Sequence, residues 1–232
     1  MKRALVMVVA VASLAAPSAA AGPRATRWTF DRLDRVGGLA VTVEGEPRIV
    51  KTPVGKAAEF DGVDDALFLP RHPLAGSKTF TIEALIRPDG GAFEQRWLHL
   101  VSDGGDGTPA ANTRILFELR VAGDEWYLDA YARGAGYALT LIDPAKRHKV
   151  GRWYHVAQTY DGTTYRAYVD GVLQAEGPLA FTPQGPGKAS VGVRINRVNH
   201  FKGAIREVRF TPRALAPRKF RGVPGGMQKK PS

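Results

Sequence analysis

From residue 80 onward, apolar and polar side chains alternate along several short runs. In RILFELRV, Ile115, Phe117, Leu119 and Val121 fall on one face and Arg114, Leu116, Glu118 and Arg120 on the other. FTIEALIRP sorts Phe80, Ile82, Ala84 and Ile86 against Thr81, Glu83, Leu85 and Arg87, and EWYLDAYAR sorts Trp126, Leu128 and Ala130 against Tyr127, Asp129, Tyr131 and Arg133. QRWLHLV sets Leu98 and Leu100 against Trp97, His99 and Val101. A period of two predicts antiparallel strands, each with one face on a core.

Between the runs stand six Asp-Gly dipeptides, at 61, 89, 103, 106, 161 and 170. Asp-Gly supplies the positive backbone torsions of tight hairpin turns. In TYDGTTYRAYVDGVLQAEG the first pair predicts a hairpin between the strand beginning at Trp153 and the strand ending at Val169. The second turns that strand into the next, near Val172 to Ala175, with Asp161 and Asp170 bonding their own turns. No segment after residue 21 keeps a 3.6-residue period over 11 positions, so helix is confined to one short turn between Pro212 and Phe220. The fold class that follows is all-β: a two-sheet antiparallel β-sandwich, of jelly-roll type.

The ends read differently. Residues 1–21, MKRALVMVVAVASLAAPSAAA, place Lys2 and Arg3 before a short apolar run that finishes in small residues, the layout of a secretory signal peptide. Secretion to a periplasmic or extracellular location follows, with one domain over 22–220 and no integral membrane segment after cleavage. The chain has no Cys, so no disulfide, thiolate nucleophile or lipid attachment is available. The formal charge of +11 falls by two on loss of Lys2 and Arg3 and stays strongly basic. Such a surface favours anionic partners through screened attraction. From Pro212 to Ser232 the chain carries six basic residues and no acid, with Pro and Gly throughout, so 221–232 reads as a disordered basic tail. Nucleic acid is not expected as a partner, because no basic helix or recognition motif accompanies the charge.

Taken in order, WTFD at 28–31, GKAAEFDG at 55–62, FTIEALIRP at 80–88, WYHVAQTYDG at 153–162, YRAYVDG at 165–171 and FKGAIREVRF at 201–210 form a recognisable series. With Ala214 and Leu215 following, the chain resembles a laminin-G-like domain of the concanavalin A-like lectin/glucanase superfamily over nearly all of 27–220. The resemblance implies a concanavalin A-like jelly roll of two curved sheets. It leaves activity open, since this architecture hosts lectins, adhesion modules, hydrolases and lyases. It also implies a structural calcium at the sandwich edge, with a last long strand reading Gly-x-Ile-Asp-Glu. Here the strand reads GAIRE at 203–207, which puts Arg206 where an acid is usual; Asp31, Asp61, Asp64 and Asp65 are the remaining oxygen ligands.

Catalysis finds little support in this pattern. The resemblance to retaining glucanases asks for three acids along one strand, whose carboxyl groups must meet one sugar from about 5 Å apart. Glu118 has no second acid two residues away, and Glu125 and Asp129 lie about 13 Å apart along a strand. The five His residues show no metal-ligand spacing, and neither a nucleophile elbow nor a phosphate loop is present. A lyase assembled from Tyr131, His99 and Arg133 stays open.

What remains is the polar, aromatic side of the strands. Trp97, His99, Arg120, Tyr127, Asp129, Tyr131 and Arg133 form the expected ligand-binding set, with aromatic rings to stack on sugars and polar groups to bond hydroxyls. The Gly-rich stretch SDGGDGTPAAN, at 102–112, is the other candidate recognition element. The expected function is a secreted, non-catalytic recognition module for a glycan or an anionic envelope polymer, requiring no cofactor. A polysaccharide lyase or glycoside hydrolase of the same fold, and a structural or adhesion protein of the envelope, are the alternatives.

Overall fold

A computed structural model describes residues 24–103 and 113–222. Chain order begins with β1 (Thr26–Thr29), β2 (Arg35–Val36), β3 (Leu39–Ala40), β4 (Thr42–Glu44), β5 (Arg48–Thr52) and β6 (Gly55–Asp61). Then come β7 (Ala66–Leu69), β8 (Phe80–Pro88), β9 (Glu94–Ser102), β10 (Arg114–Ala122), β11 (Glu125–Gly134) and β12 (Tyr137–Ile142). The last are β13 (His148–Lys149), β14 (Tyr154–Tyr160), β15 (Thr164–Val169), β16 (Val172–Pro178), β17 (Gly187–Val191) and β18 (Lys202–Thr211). Among the described residues, a single 3-10 turn over Pro217–Lys219 lies within the span where the sequence allows helix. The expected signal peptide, the expected tail beyond 222 and most of SDGGDGTPAAN lie outside the described residues.

The strands build two large antiparallel sheets. The first runs β16-β15-β14-β8-β18-β6-β5 with β1 on β18; the second runs β12-β11-β10-β9-β17-β7-β4 with β13 on β11. The expected sandwich is therefore the observed one. Ile82, Ala84 and Ile86 from the first sheet meet Ile115, Phe117, Leu119, Trp126 and Leu128 from the second in one continuous core. Burying such side chains supplies roughly 1.5–3 kcal/mol each. In the absence of any disulfide, that core carries the stability.

The two Asp-Gly turns of 159–177 join β14, β15 and β16 as expected. Asp170 (φ 49°) and Gly171 (φ 76°) both take positive torsions, the requirement of a two-residue type I′ turn. Asp161 bonds its own turn through the N–H groups of Thr163 and Thr164. Asp170 departs from the expectation: its carboxylate accepts the His155 N–H at 2.9 Å and so ties the turn to β14.

The expectation of one buried face per strand fails on β8. Thr81, Glu83 and Leu85, opposite the core, are also buried. Residues 211–222 run across the outer face of the first sheet: the Thr81 hydroxyl donates to the Arg213 carbonyl and accepts the Leu215 N–H, while Glu83 accepts the Arg221 N–H. Phe220 packs on His155 and Tyr168 with centroids 5.5 and 5.3 Å away. A stretch read as basic and polar thus covers Thr81, Glu83, His155 and Tyr168 on that face, with Phe220 as an aromatic anchor.

A second departure bears on function. β9 and β10 pair in register as far as Leu98 opposite Phe117, and then Arg96 faces Glu118, so Trp97 is an extra residue in a β-bulge. A bulge places consecutive residues on one side of a strand. Trp97 therefore joins Leu98 in the core, edge-on to Phe117 at 4.7 Å, and Arg96 turns to the outer face.

Candidate site on the outer face of the second sheet

Cross-strand register assembles the site. Arg96, Glu118 and Asp129 stand side by side on β9, β10 and β11; the next polar row is His99, Leu116, Tyr131 and Thr140. Directly opposed side chains on antiparallel strands lie about 5 Å apart at Cβ, close enough for bonding. Together with Arg114, Arg120 and Arg194, all of these but His99 line a depression of about 220 Å³.

Ion pairs fix the floor. Arg96 bonds Glu118 at 2.8 Å and Glu94 at 2.7 Å. Arg120 bonds Asp129 at 2.6 Å and comes within 3.5 Å of Glu118, so one guanidinium touches both acids. Both carboxyls are buried, and burial pushes their pKa values up; the neighbouring Asp129 raises Glu118 further, while Arg96 and Arg120 pull both down. Removing either partner of such pairs would strand a buried charge.

The network has bonding capacity to spare. Arg96 Nε, Arg114 Nε, Arg120 Nη1, His99 Nε2 and Asp129 Oδ1 are buried without a hydrogen-bond partner among the described residues. Each such atom costs on the order of 1–3 kcal/mol unless water or another molecule supplies its partner.

His99 lies beneath the rim. Its Nδ1 accepts the Ile195 N–H at 3.0 Å and holds the β17–β18 loop against the sheet. Burial, then the positive charges of Arg194, Arg114 and Arg96, hold its pKa down to about 3, so the ring is neutral. The same loop is anchored by the Arg96 N–H on the Asn199 carbonyl at 2.9 Å, and it carries Arg194 to the depression. Arg194 is itself lowered, by burial and then by repulsion from Arg114 and Arg96. The guanidinium of Arg114 stacks over Tyr131 at 5.3 Å. At the other end, that of Arg120 sits 5.8 Å from the ring of Phe93, which is 55% exposed.

Of the residues expected at a site, Arg120, Asp129 and Tyr131 come together here, with His99 below them. Trp97 does not, because the bulge turns it into the core. Tyr127 is on the right face but 7% exposed, so it offers no stacking surface. Arg133 pairs in register with Arg114 and Ala138 and is not among the residues lining the depression. The sequence reading missed Arg96, Arg114, Arg194 and Phe93 as site residues. Arg114 shares the alternation of Arg120 and was within its reach. Glu118 lacked an acid on its own strand; its partner is one strand over.

Among the described residues, calcium has one candidate position. Carboxylate oxygens of Asp61, Asp64 and Asp65 lie within 4.8 Å of one another. Asp65 spends both oxygens on the N–H groups of Glu46 and Asp61, at 2.7 and 2.9 Å, and Asp61 accepts those of Val63 and Asp64. These acids serve the turn, and the donor set fits an ion only through their remaining lone pairs. Arg206 bonds the Val54 carbonyl and Glu207, which fills the place of the usual acid in GAIRE with a satisfied cation.

A laminin-G-type family model, described as concanavalin A-like lectin/glucanases superfamily, matches residues 61–219. No curated protein matches the chain. Among solved structures, domain 4 of AbnA, an extracellular GH43 arabinanase from Geobacillus stearothermophilus, in complex with arabinotriose, is 18% identical with a TM-score of 0.55, over 84% of this chain and 94% of that one. The NanB sialidase from Streptococcus pneumoniae is 21% identical with a TM-score of 0.51, over 63% of this chain and 24% of that one. A botulinum neurotoxin type C structure, whose cell entry is described as dependent on two ganglioside molecules, is 9% identical with a TM-score of 0.55, over 84% and 49%. At these identities the likeness is one of fold.

Proposed function

The chain belongs to the laminin-G branch of the concanavalin A-like lectin/glucanase superfamily, and from that premise we propose that it is a secreted, non-catalytic recognition module that binds a glycan on the outer face of its second sheet. One observation carries the reading: a preorganised set of four arginines and two carboxylates lines a depression flanked by Tyr131, with Phe93 exposed beside Arg120. Sugar hydroxyls both donate and accept, so they match guanidinium N–H groups and carboxylate oxygens at once. Aromatic rings offer the apolar faces of a pyranose their stacking partner. The arabinotriose complex and the ganglioside-dependent toxin support a glycan over other ligands, and the layout of residues 1–21 supports secretion.

A hydrolase or lyase reading draws on one observation, the two buried carboxyls with raised pKa values. Arg120 weighs against it, since its guanidinium contacts both acids where a glycosidic oxygen would have to reach them.

A glycan array with neutral and acidic members, run with and without calcium, tests the proposal. Saturable binding without product release is expected; release of product that Glu118→Gln abolishes would establish the enzyme reading, and no binding on the array would leave the structural role. Tyr131→Ala and Phe93→Ala should each weaken binding by about 1–3 kcal/mol, taking base stacking on aromatics as the measure.

A further inference from the structure

The geometry points to a more specific ligand class: glycans whose units carry an anionic substituent, a carboxylate or a sulfate ester, seated between Arg114 and Arg194. This rests on the reading of the outer face as a glycan site. The four arginines of the depression are not equivalent. Arg96 is paired with Glu94 and Glu118, and Arg120 with Asp129. Arg114 and Arg194 have no carboxylate within ion-pairing distance among the described residues, and the lining thus carries two positive charges that its own acids leave uncompensated.

The surroundings hold those two charges together. The Tyr131 ring supports one face of the Arg114 guanidinium, and His99 pins the backbone of Ile195, next to Arg194. His99 cannot act as counter-charge, because an imidazole is either neutral or cationic, and its Nδ1 is already committed. Two guanidinium groups held near one another and partly out of water repel, and an anion between them converts that repulsion into two charge-assisted hydrogen-bond sets. Carboxylates and sulfate esters both fit the planar fork of arginine. A neutral sugar leaves the repulsion in place, so the site discriminates by charge as well as by shape. The depression's size, about 220 Å³, suits one charged unit of a longer chain.

The ligand arm of the test needs no variant. Binding of the full chain is measured, at fixed ionic strength, to an oligogalacturonate, its methyl ester, a sulfated galactan oligosaccharide and the matched neutral galactan. At least tenfold tighter binding to the acid than to its ester, or to the sulfated than to the neutral galactan, is expected, and which pair separates more identifies the anionic group. Equal affinity within each pair overturns the inference and leaves the glycan reading standing; absence of binding to all four argues against the glycan reading itself. The variant arm locates the charge. Arg114→Met with Arg194→Met should abolish the acid preference with the melting temperature retained. The charge-matched control Arg71→Met with Arg152→Met, two exposed positions, should keep it. A preference that survives in the first pair belongs to the diffuse basic surface and sinks the assignment.

Discussion

At the scale of single residues, His99 and His72 make the fold sensitive to mild acid. His72 is buried with Nε2 on the Gln184 side-chain oxygen at 2.7 Å and Nδ1 accepting the Leu74 N–H, and burial lowers its pKa to about 4. His99 is lowered to about 3. A folded-state pKa below the ordinary histidine value of about 6.5 means that the unfolded chain binds more protons between the two values, so the stability present above pH 6.5 is lost as pH falls. At pH 5 the loss is about 2 kcal/mol for each ring, at 1.36 kcal/mol per pK unit. Glu118 and Asp129 act in the opposite sense: their raised values add stability as pH falls through the range above an ordinary carboxyl. Urea unfolding at pH 7.5 and pH 5 separates these effects. His99→Gln, which keeps an acceptor for the Ile195 N–H, should lose about 2 kcal/mol less between the two pH values than the wild type. An unchanged difference would mean that His99 is solvated or charged in the folded protein.

At the scale of the strand, the lesson lies in β9. Alternation read correctly on β10 and β11: Ile115, Phe117, Leu119, Trp126, Leu128 and Ala130 are all in the core, and Tyr127, Asp129, Tyr131 and Arg133 are opposite. On β9 the bulge at Trp97 shifts the phase by one, and a one-residue slip moves side chains to the other face. Nothing in QRWLHLV marks that slip, so a core tryptophan passed for a sugar-stacking one and Arg96 went unseen. Position 187 shows the same limit. A Cβ there would stand 2.0 Å from the Val101 carbonyl oxygen, so only glycine lets β17 approach β9, whereas Gly-Pro-Gly at 185–187 reads in the sequence as a turn. The two assignments of Trp97 differ in outcome. Truncation of a core tryptophan costs about 3–5 kcal/mol, so Trp97→Ala should lower the melting temperature by roughly 6–20 °C in a domain of this size. Loss of glycan affinity with an unchanged melting temperature would restore Trp97 to the ligand face.

At the scale of the molecule, the two sheets divide the work between them. The turn chemistry and motif order were enough to read the sandwich, because each hairpin is a local choice. The site was legible only in part, because it depends on which strands become neighbours: Glu118 meets Asp129 through β10–β11 pairing, and Arg194 arrives from a loop some 80 residues away in sequence from Arg114. The outer face of the first sheet carries a buried Glu83–His155 pair at 3.1 Å, which taken alone has the look of an acid–base dyad. It is closed off by the chain's own residues 211–222, through the Arg221 N–H on Glu83 and Phe220 over His155. That segment therefore acts as a cover for one face, while the Arg114–Arg194 depression lies on the other. Ending the chain after Thr211 should lower the melting temperature by several degrees, since it uncovers Glu83, His155 and Tyr168 to water and removes the partners of Thr81. Glycan affinity at moderate ionic strength should stay within about twofold, because no residue of the Arg114–Arg194 depression touches the cover. If truncation instead abolishes binding while the shortened protein remains folded, the basic groove on the first sheet, lined by Arg27, Arg209, Arg213 and Lys219, is the ligand surface and the assignment of faces must be reversed.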